Sequence, residues 1–334
     1  MKRIGITTTV PVEVLIAAGY KVVDLNNLFI TSKDYARYID IAERDGFPKS
    51  LCAWIKGIYG AAVENGITEI VGVIEGDCSN TKSLMEVLKS RGIKIYPFAY
   101  PSRRTYEEVK KAIDEFIMQF FDGYNSFDKQ LKKSRNQVNV TRHLARRIDE
   151  LTVQFKATGF ENHLYQVSLS DFDGDIDRFI KVLEEKVKEI ESREPKVKKL
   201  RLGYVGVPPM TGDLYDFVEK FDAQIIYNEV QREFAFPRFD KAKDIYEQYY
   251  DYTYPYNLEF RLNEIKKQVK ERRLDGIIHY TQAFCYRAID DIVIKRELDI
   301  PVLNIEGDKL NSLDARTKIR IEAFLDMLND LKGD

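Results

Sequence analysis

Short runs rich in Ile and Val alternate with helical patterns at both ends of this chain, and that alternation constrains its fold more than any composition figure. In the N-terminal part RIGITT, KVVDL, EIVGVI and IKIYPF read as strands. Between them lie helical patterns such as VPVEVLIAAG and KSLMEVLKSRG. In the C-terminal part KLRLGYVGV, AQIIYNEV, DGIIHY and IPVLNIEG repeat the rhythm, with helices expected near Asp213 to Lys220, Leu258 to Arg272, Tyr286 to Arg296 and Leu313 to Leu331. A strand–helix–strand rhythm implies parallel pairing through right-handed crossovers. The expected fold is therefore α/β, with two Rossmann-like lobes, each a mainly parallel sheet covered by helices.

Between the lobes, YEEVKKAIDEFIMQFF, NQVNVTRHLARRIDELTVQFK and DIDRFIKVLEEKVKEIES place apolar residues at helical spacing with charges between them. No strand pattern interrupts them. The chain is accordingly expected to divide into an N-terminal α/β lobe over 1–104, a helical connector over 105–198 and a C-terminal α/β lobe over 199–334. At 334 residues it is long enough for two cores.

Charge excludes several classes of partner. The 52 Lys and Arg residues nearly cancel 54 Asp and Glu, leaving a formal net charge of −2. That balance gives no electrostatic reason to expect nucleic acid or an acidic membrane surface. No apolar stretch reaches the roughly 20 residues that span a bilayer, and the opening MKRIGITTTVPVEVLIAAGY lacks the continuous apolar core of a signal peptide. A cytoplasmic location is expected. Three scattered cysteines form no disulfide framework, which fits a reducing compartment.

Those three cysteines carry the functional signal. Cys52 lies in PKSLCAWIKGIYGAAVE, Cys78 in EIVGVIEGDCSNTKSLMEVLK and Cys285 in GIIHYTQAFCYRAIDDIVI, each near the predicted start of a helix. Unsatisfied N–H groups and the helix dipole at such a position favour the thiolate, the form that binds metal. In open α/β sheets ligands bind beyond the carboxyl ends of the strands. Cys78 and Cys285 follow predicted strands directly, so both are expected at such a crevice, with Cys52 joining them through the first turn of its helix and a cluster held between the lobes. Three ligands would leave one metal position open for chemistry. The plain alternative is that all three are core residues, since free cysteine behaves as a small apolar side chain and no CxxC pair is present.

Other residues have both a functional and a structural reading. Glu75 and Asp77 flank one Gly-Asp turn, and Glu306 and Asp308 form a similar one; strand-end carboxylates transfer protons or cap helices. His279 and Gln282 stand just ahead of Cys285 and are candidates to bond substrate or cluster sulfur, or simply to pack. His143 and His163 lie among charges in the connector and read as surface residues. Arg316 and Arg320 share a helix face fit for a phosphate, a carboxylate or an acidic neighbour. Thr7, Thr8 and Thr9 end the first strand and offer hydroxyls to the crevice or to a cap. Gly203 to Asp213 loosely resembles a phosphate-cradling turn but lacks GxGxxG. The tyrosine-dense tract Tyr246 to Phe260 reads as an interface, a lid or helix packing.

The contexts GDCSN and HYTQAFCY, the C-terminal IPVLNIEGDKLNSLDARTKIRIEAFLDML, the opening TTVPVEVLIAAGYKVVDL and the segment LCAWIKGIYGAAVENG resemble the ATP-dependent 2-hydroxyacyl-CoA dehydratase family. That family includes the 2-hydroxyglutaryl-CoA dehydratase D-component, benzoyl-CoA reductase and double-cubane-cluster proteins. The resemblance runs over nearly the whole chain, while the central stretch from Asp122 to Lys198 matches poorly and is short. It implies a [4Fe–4S] cluster held by Cys52, Cys78 and Cys285, an ATP-hydrolysing iron–sulfur activator as partner, an acyl-CoA substrate, and either an unlike dehydratase subunit or a homodimer. Glu75, His279 and Gln282 are then the candidate catalytic side chains.

The chemistry agrees with that implication. The proton lost in such a dehydration sits on an unactivated β-carbon, beyond ordinary bases. One electron added to the thioester carbonyl gives a ketyl radical anion that expels the α-hydroxyl and acidifies that proton; the electron is then returned. An open iron supplies a Lewis acid for the oxygen. No GxxxxGK[ST] phosphate loop is present, so the electron would arrive from the activator. Two alternatives stay open: an activator-dependent reductase of a small molecule that is not a CoA thioester, and a noncatalytic electron or sulfur carrier. A double-cubane [8Fe–9S] cluster needs about six cysteine ligands, which this chain supplies only when two copies share one cluster.

Overall fold

All eight expected strands form, and every pairing between them is parallel. The computed structural model describes residues 2–121, 124–308 and 312–333. Residues 309–311, within the C-terminal segment that carries the resemblance, and Asp122, where the poorly matching stretch begins, lie outside the described residues. By backbone contacts the chain falls into two units, each discontinuous in sequence. The first comprises 1–143, 168–182 and 236–256; the second comprises 144–167, 183–235 and 257–334.

The first unit is built on β1 (Lys2–Ile6), β2 (Tyr20–Asp24), β3 (Glu69–Glu75) and β4 (Lys94–Ala99), in the order β2-β1-β3-β4. Helix α1 (Val12–Ala17) links β1 to β2. Helices α2 (Leu25–Ile30), α3 (Tyr35–Arg44) and α4 (Ala53–Glu64) lead on to β3, and α5 (Thr81–Ser90) joins β3 to β4. Because the chain moves one way from β1 to β2 and the other way to β3, right-handed crossovers put α1 and α4 on opposite faces. Both faces are then covered, which is why Ile70, Val71 and Val73 are all fully buried and the strand reads as continuous apolar sequence. Helix α6 (Tyr106–Met118) follows, and then α7 (Tyr124–Val153), whose last ten residues are counted with the second unit. Asp171, in a segment of short 3-10 turns, accepts a 2.9 Å hydrogen bond from the amide of Asp24 and so ties that segment to the end of β2.

The second unit repeats the plan: β5 (Leu200–Gly206), β6 (Ala223–Asn228), β7 (Gly276–Gln282) and β8 (Val302–Gly307) in the order β6-β5-β7-β8. Its helices are α8 (Gly159–Val167), α9 (Ile176–Glu191, begun in the first unit), α10 (Leu214–Glu219), α11 (Glu229–Phe234), α13 (Leu258–Arg272), α14 (Asp290–Glu297) and α15 (Ala315–Gly333); α12 (Ile245–Tyr250) returns to the first unit. Alternate strand residues feed two separate cores. Leu202, Tyr204, Ile278 and Tyr280 pack with α10 and α15, whereas Val205, Ile226 and Ile277 pack with α13 and α14. Each fully buried aliphatic side chain contributes about 1.5–3 kcal/mol relative to exposure.

The tyrosine-dense tract belongs largely to a core. Tyr249 and Tyr252 are buried against Phe236, which fits packing rather than an exposed interface. Beside them Glu13, on α1, is fully buried with Arg142 at 2.8 Å, and it also accepts from Gln248 and Tyr249. Burial alone would raise the Glu13 carboxyl; the Arg142 charge and the Gln248 hydrogen bond outweigh it and hold it below the usual range. Replacing Arg142 with Met leaves that carboxylate buried and uncompensated. We expect a loss of about 3–5 kcal/mol in urea unfolding, most of it recovered when Glu13→Leu is added.

Candidate functional site

Two strands end alike. β3 stops at Glu75 and β7 at Gln282, each the third strand of its sheet in sequence, and a cysteine stands three residues beyond each. In both sheets this strand lies beside the first, where the order of connections reverses. That switch point is where open parallel sheets bind ligands. Cys78 and Cys285 therefore occupy corresponding positions in the two units.

In the first unit the turn after β3 is set by Gly76, whose φ of +91° suits glycine and whose missing Cβ makes room for Tyr100 and Pro255. Cys78 follows, half-buried, and its carbonyl accepts from the Thr81 amide at 3.1 Å as α5 begins. Cys52 is buried at the N-cap of α4, and its carbonyl accepts from Lys56 at 3.3 Å. α4 runs back to the start of β3, so its first turn lies at the carboxyl edge of the sheet, the edge that Cys78 occupies. Lys56, fully buried one turn on, reaches Glu43 at 2.8 Å and the Lys49 carbonyl at 3.1 Å, pinning that turn. Of the threonines ending β1, Thr7 is spent on structure, its hydroxyl accepting from the Val73 amide at 3.1 Å. The buried Thr9 hydroxyl has no protein partner among the described residues.

In the second unit Cys285 is half-buried at the N-cap of a 3-10 turn, Tyr286–Ile289, that leads into α14. The residue before it, Phe284, has φ +65°, a conformation that costs an L-residue energy and persists only where its surroundings impose it. Gln282 is buried, accepting from the Tyr280 hydroxyl at 3.2 Å and donating to the Asp308 carbonyl at 3.1 Å. His279 is also buried, its Nδ1 2.9 Å from Asp291; burial lowers its pKa despite that neighbour. Glu75, Glu306 and Asp308 are exposed, as are Arg316 and Arg320 on α15, the latter bonded to the Asn304 carbonyl at 2.7 Å.

Two readings change. The Gly203–Asp213 loop is no phosphate cradle: Pro208 and Pro209 bring no N–H, the Met210 amide donates to Tyr280, and the helix that follows has six residues. Gly206, at φ +103°, instead lets β5 end against β7, since a Cβ there would meet the Tyr280 carbonyl. His163 is half-buried rather than exposed. Its ring packs between Phe160 and Tyr215 and meets Gln231, and burial lowers its pKa to about 4. His143 is exposed as expected.

The donor set fits an iron–sulfur cluster. All three cysteines are thiols outside any disulfide, and each lies at or just ahead of a helix or helical turn. Among the described residues no three His, Cys, Asp or Glu groups are placed to hold one metal ion. Among them, too, no helix is long and apolar enough to cross a membrane.

Twin doubly wound sheets with a cysteine past the third strand of each define a two-unit α/β protein with thiol-bearing ligand edges. The chain belongs to the family described as 2-hydroxyglutaryl-CoA dehydratase, D-component, whose model matches residues 7–328. Among curated proteins none matches it.

Two outcomes follow from this geometry. Gly76→Ala forces an L-residue to positive φ against Tyr100 and should cost about 1–3 kcal/mol in urea unfolding. His163 stays neutral in the fold down to about pH 4 but protonates near 6.5 when unfolded. The unfolded state binds the extra proton, so stability is full above 6.5 and falls as pH drops toward 4. Thermal melts of His163→Gln should show a shallower decline over that window than wild type.

Proposed function

We propose that this chain is a subunit, or a single-chain relative, of an ATP-activated 2-hydroxyacyl-CoA dehydratase, with Cys52, Cys78 and Cys285 as thiolate ligands of a [4Fe–4S] cluster. The observation that carries the reading is the matched placement of Cys78 and Cys285 past the third strands of two like sheets, in a chain whose family is a dehydratase component. A component implies companions: an ATP-hydrolysing iron–sulfur activator, and an unlike subunit or a second copy. Three thiols outside disulfides fit a reducing, cytoplasmic setting.

When bound, a reduced cluster with an open iron supplies one electron and a Lewis-acid position to the thioester of a 2-hydroxyacyl-CoA. The protein's own groups do the rest. Glu75, exposed at the end of β3 and three residues before Cys78, is the carboxylate assigned to take a proton from substrate. Thr9 offers its unspent hydroxyl as a hydrogen-bond partner at that edge. Gln282 and His279, buried and bonded to the Asp308 carbonyl and to Asp291, support the Cys285 turn from beneath.

The test is iron, acid-labile sulfide and visible absorption on anaerobically purified protein. About four irons per chain are expected, lost in each of Cys52→Ala, Cys78→Ala and Cys285→Ala. Iron content untouched by all three substitutions would return the cysteines to the core and remove this assignment.

A further inference from the structure

In the loop carrying Cys285, Phe284, Tyr286 and Ile289 are exposed. Next to the loop, buried charges form a network. Arg261, buried on α13, clamps Glu229 at the start of α11 with two donors, Nε to Oε1 at 2.7 Å and Nη2 to Oε2 at 2.9 Å. Its remaining terminal nitrogen, Nη1, donates to Asp290 at 3.0 Å. Glu229 in turn accepts from the Gly206 amide at 2.9 Å, at the end of β5. Asp290 opens α14 and also lies 3.7 Å from Arg287 within the 3-10 turn. The next residue, Asp291, meets His279 of β7 at 2.9 Å and Lys295 at 2.7 Å.

We propose that the chain Glu229–Arg261–Asp290, with the His279–Asp291 pair beside it, is the positioning device for the Cys285 thiolate. This rests on the reading of Cys285 as a cluster ligand. The loop is fixed at both ends. Its entry is held by Gln282 on the Asp308 carbonyl and by the Ala283 amide on the Gly307 carbonyl at 2.7 Å. Its exit is held by two aspartates in the first turn of α14, where negative charge is favoured, each tied to a buried partner on another element. An arginine suits this place because its planar fork satisfies Glu229 with two donors while aiming a third at Asp290, which a lysine ammonium does not reproduce. None of these residues needs to touch the cluster.

The experiment reads thiol position directly. In cluster-free protein, iodoacetamide labelling followed by mass spectrometry gives the rate at Cys285 relative to Cys78, which sits in the other unit and serves as reference. Asp290→Ala and Arg261→Lys should raise the Cys285:Cys78 ratio severalfold, with Asp290→Asn, which keeps an acceptor oxygen, between them and wild type. In cluster-loaded protein the first two should release iron to a chelator about 10–100 times faster, the range usual when a residue orienting a metal ligand is lost. An unchanged ratio in all three variants overturns the proposal. If Asp290→Ala unfolds, seen as faster labelling at Cys78 as well, the ratio in Arg261→Lys and Asp290→Asn decides. If wild type holds no iron, the dehydratase assignment fails, and the labelling ratio still decides whether these residues position Cys285.

Discussion

A parallel strand cannot return through a hairpin, and this one constraint arranges the rest of the molecule. Every strand must be brought back by a crossover, so all the loops that follow strands gather at a single edge of each sheet. With the order 2-1-3-4, the crossovers leave the first strand on opposite faces, and the loops after the first and third strands part to open a crevice. The protein does this twice. Thr9 and Cys78 lie in those two loops of the first sheet, and Cys285 in the loop after the third strand of the second. Both cysteines are thus placed by topology before any side chain makes a contact.

The strands were legible because burial on both faces removes polar alternation: IVGV in β3 and GII at the start of β7 read as apolar stretches. Cysteine positions at the helix starts were legible for the same reason, since strand–turn–helix boundaries have local signatures. Long-range pairing was not. Nothing in the sequence near Glu13 announces Arg142, 129 positions later by their numbers, and the pair becomes visible only when α7 crosses α1. The return of 236–256 to the first unit is likewise silent, because its tyrosines read equally well as interface or core until their burial is known. Helices α2 and α8, of six and nine residues, are too short to show a clear period. The half-burial of His163 is silent in its charged neighbourhood, because its ring contacts are with Phe160 nearby and with Tyr215, far along the chain.

Buried charge is used unevenly and to a purpose. Replacing an internal ion pair by apolar groups of like volume is often neutral or stabilising, so such pairs are poor evidence for stability alone. Here they are directional. Arg142 with Glu13 fixes α7 against α1, and Arg272 with Asp149, at 2.5 Å, fixes α13 against α7. Arg261 does the same for α14. Each is an arginine, whose fork demands one orientation of its partner, where a greasy contact would tolerate sliding.

The two cysteine turns differ in how they reach the left-handed backbone they need. Before Cys78 the chain uses Gly76, which adopts positive φ without penalty. Before Cys285 it uses Phe284 at φ +65°, a conformation that costs roughly 1–2 kcal/mol for an L-residue. The phenyl ring is 62% exposed, so its own packing offsets little of that cost. The offset must come from the residues on either side, the Gln282 and Ala283 bonds before the turn and the Asp290 and Asp291 bonds after it. A glycine turn adopts this backbone without such support, whereas a turn strained between two fixed ends depends on the bonds that hold those ends.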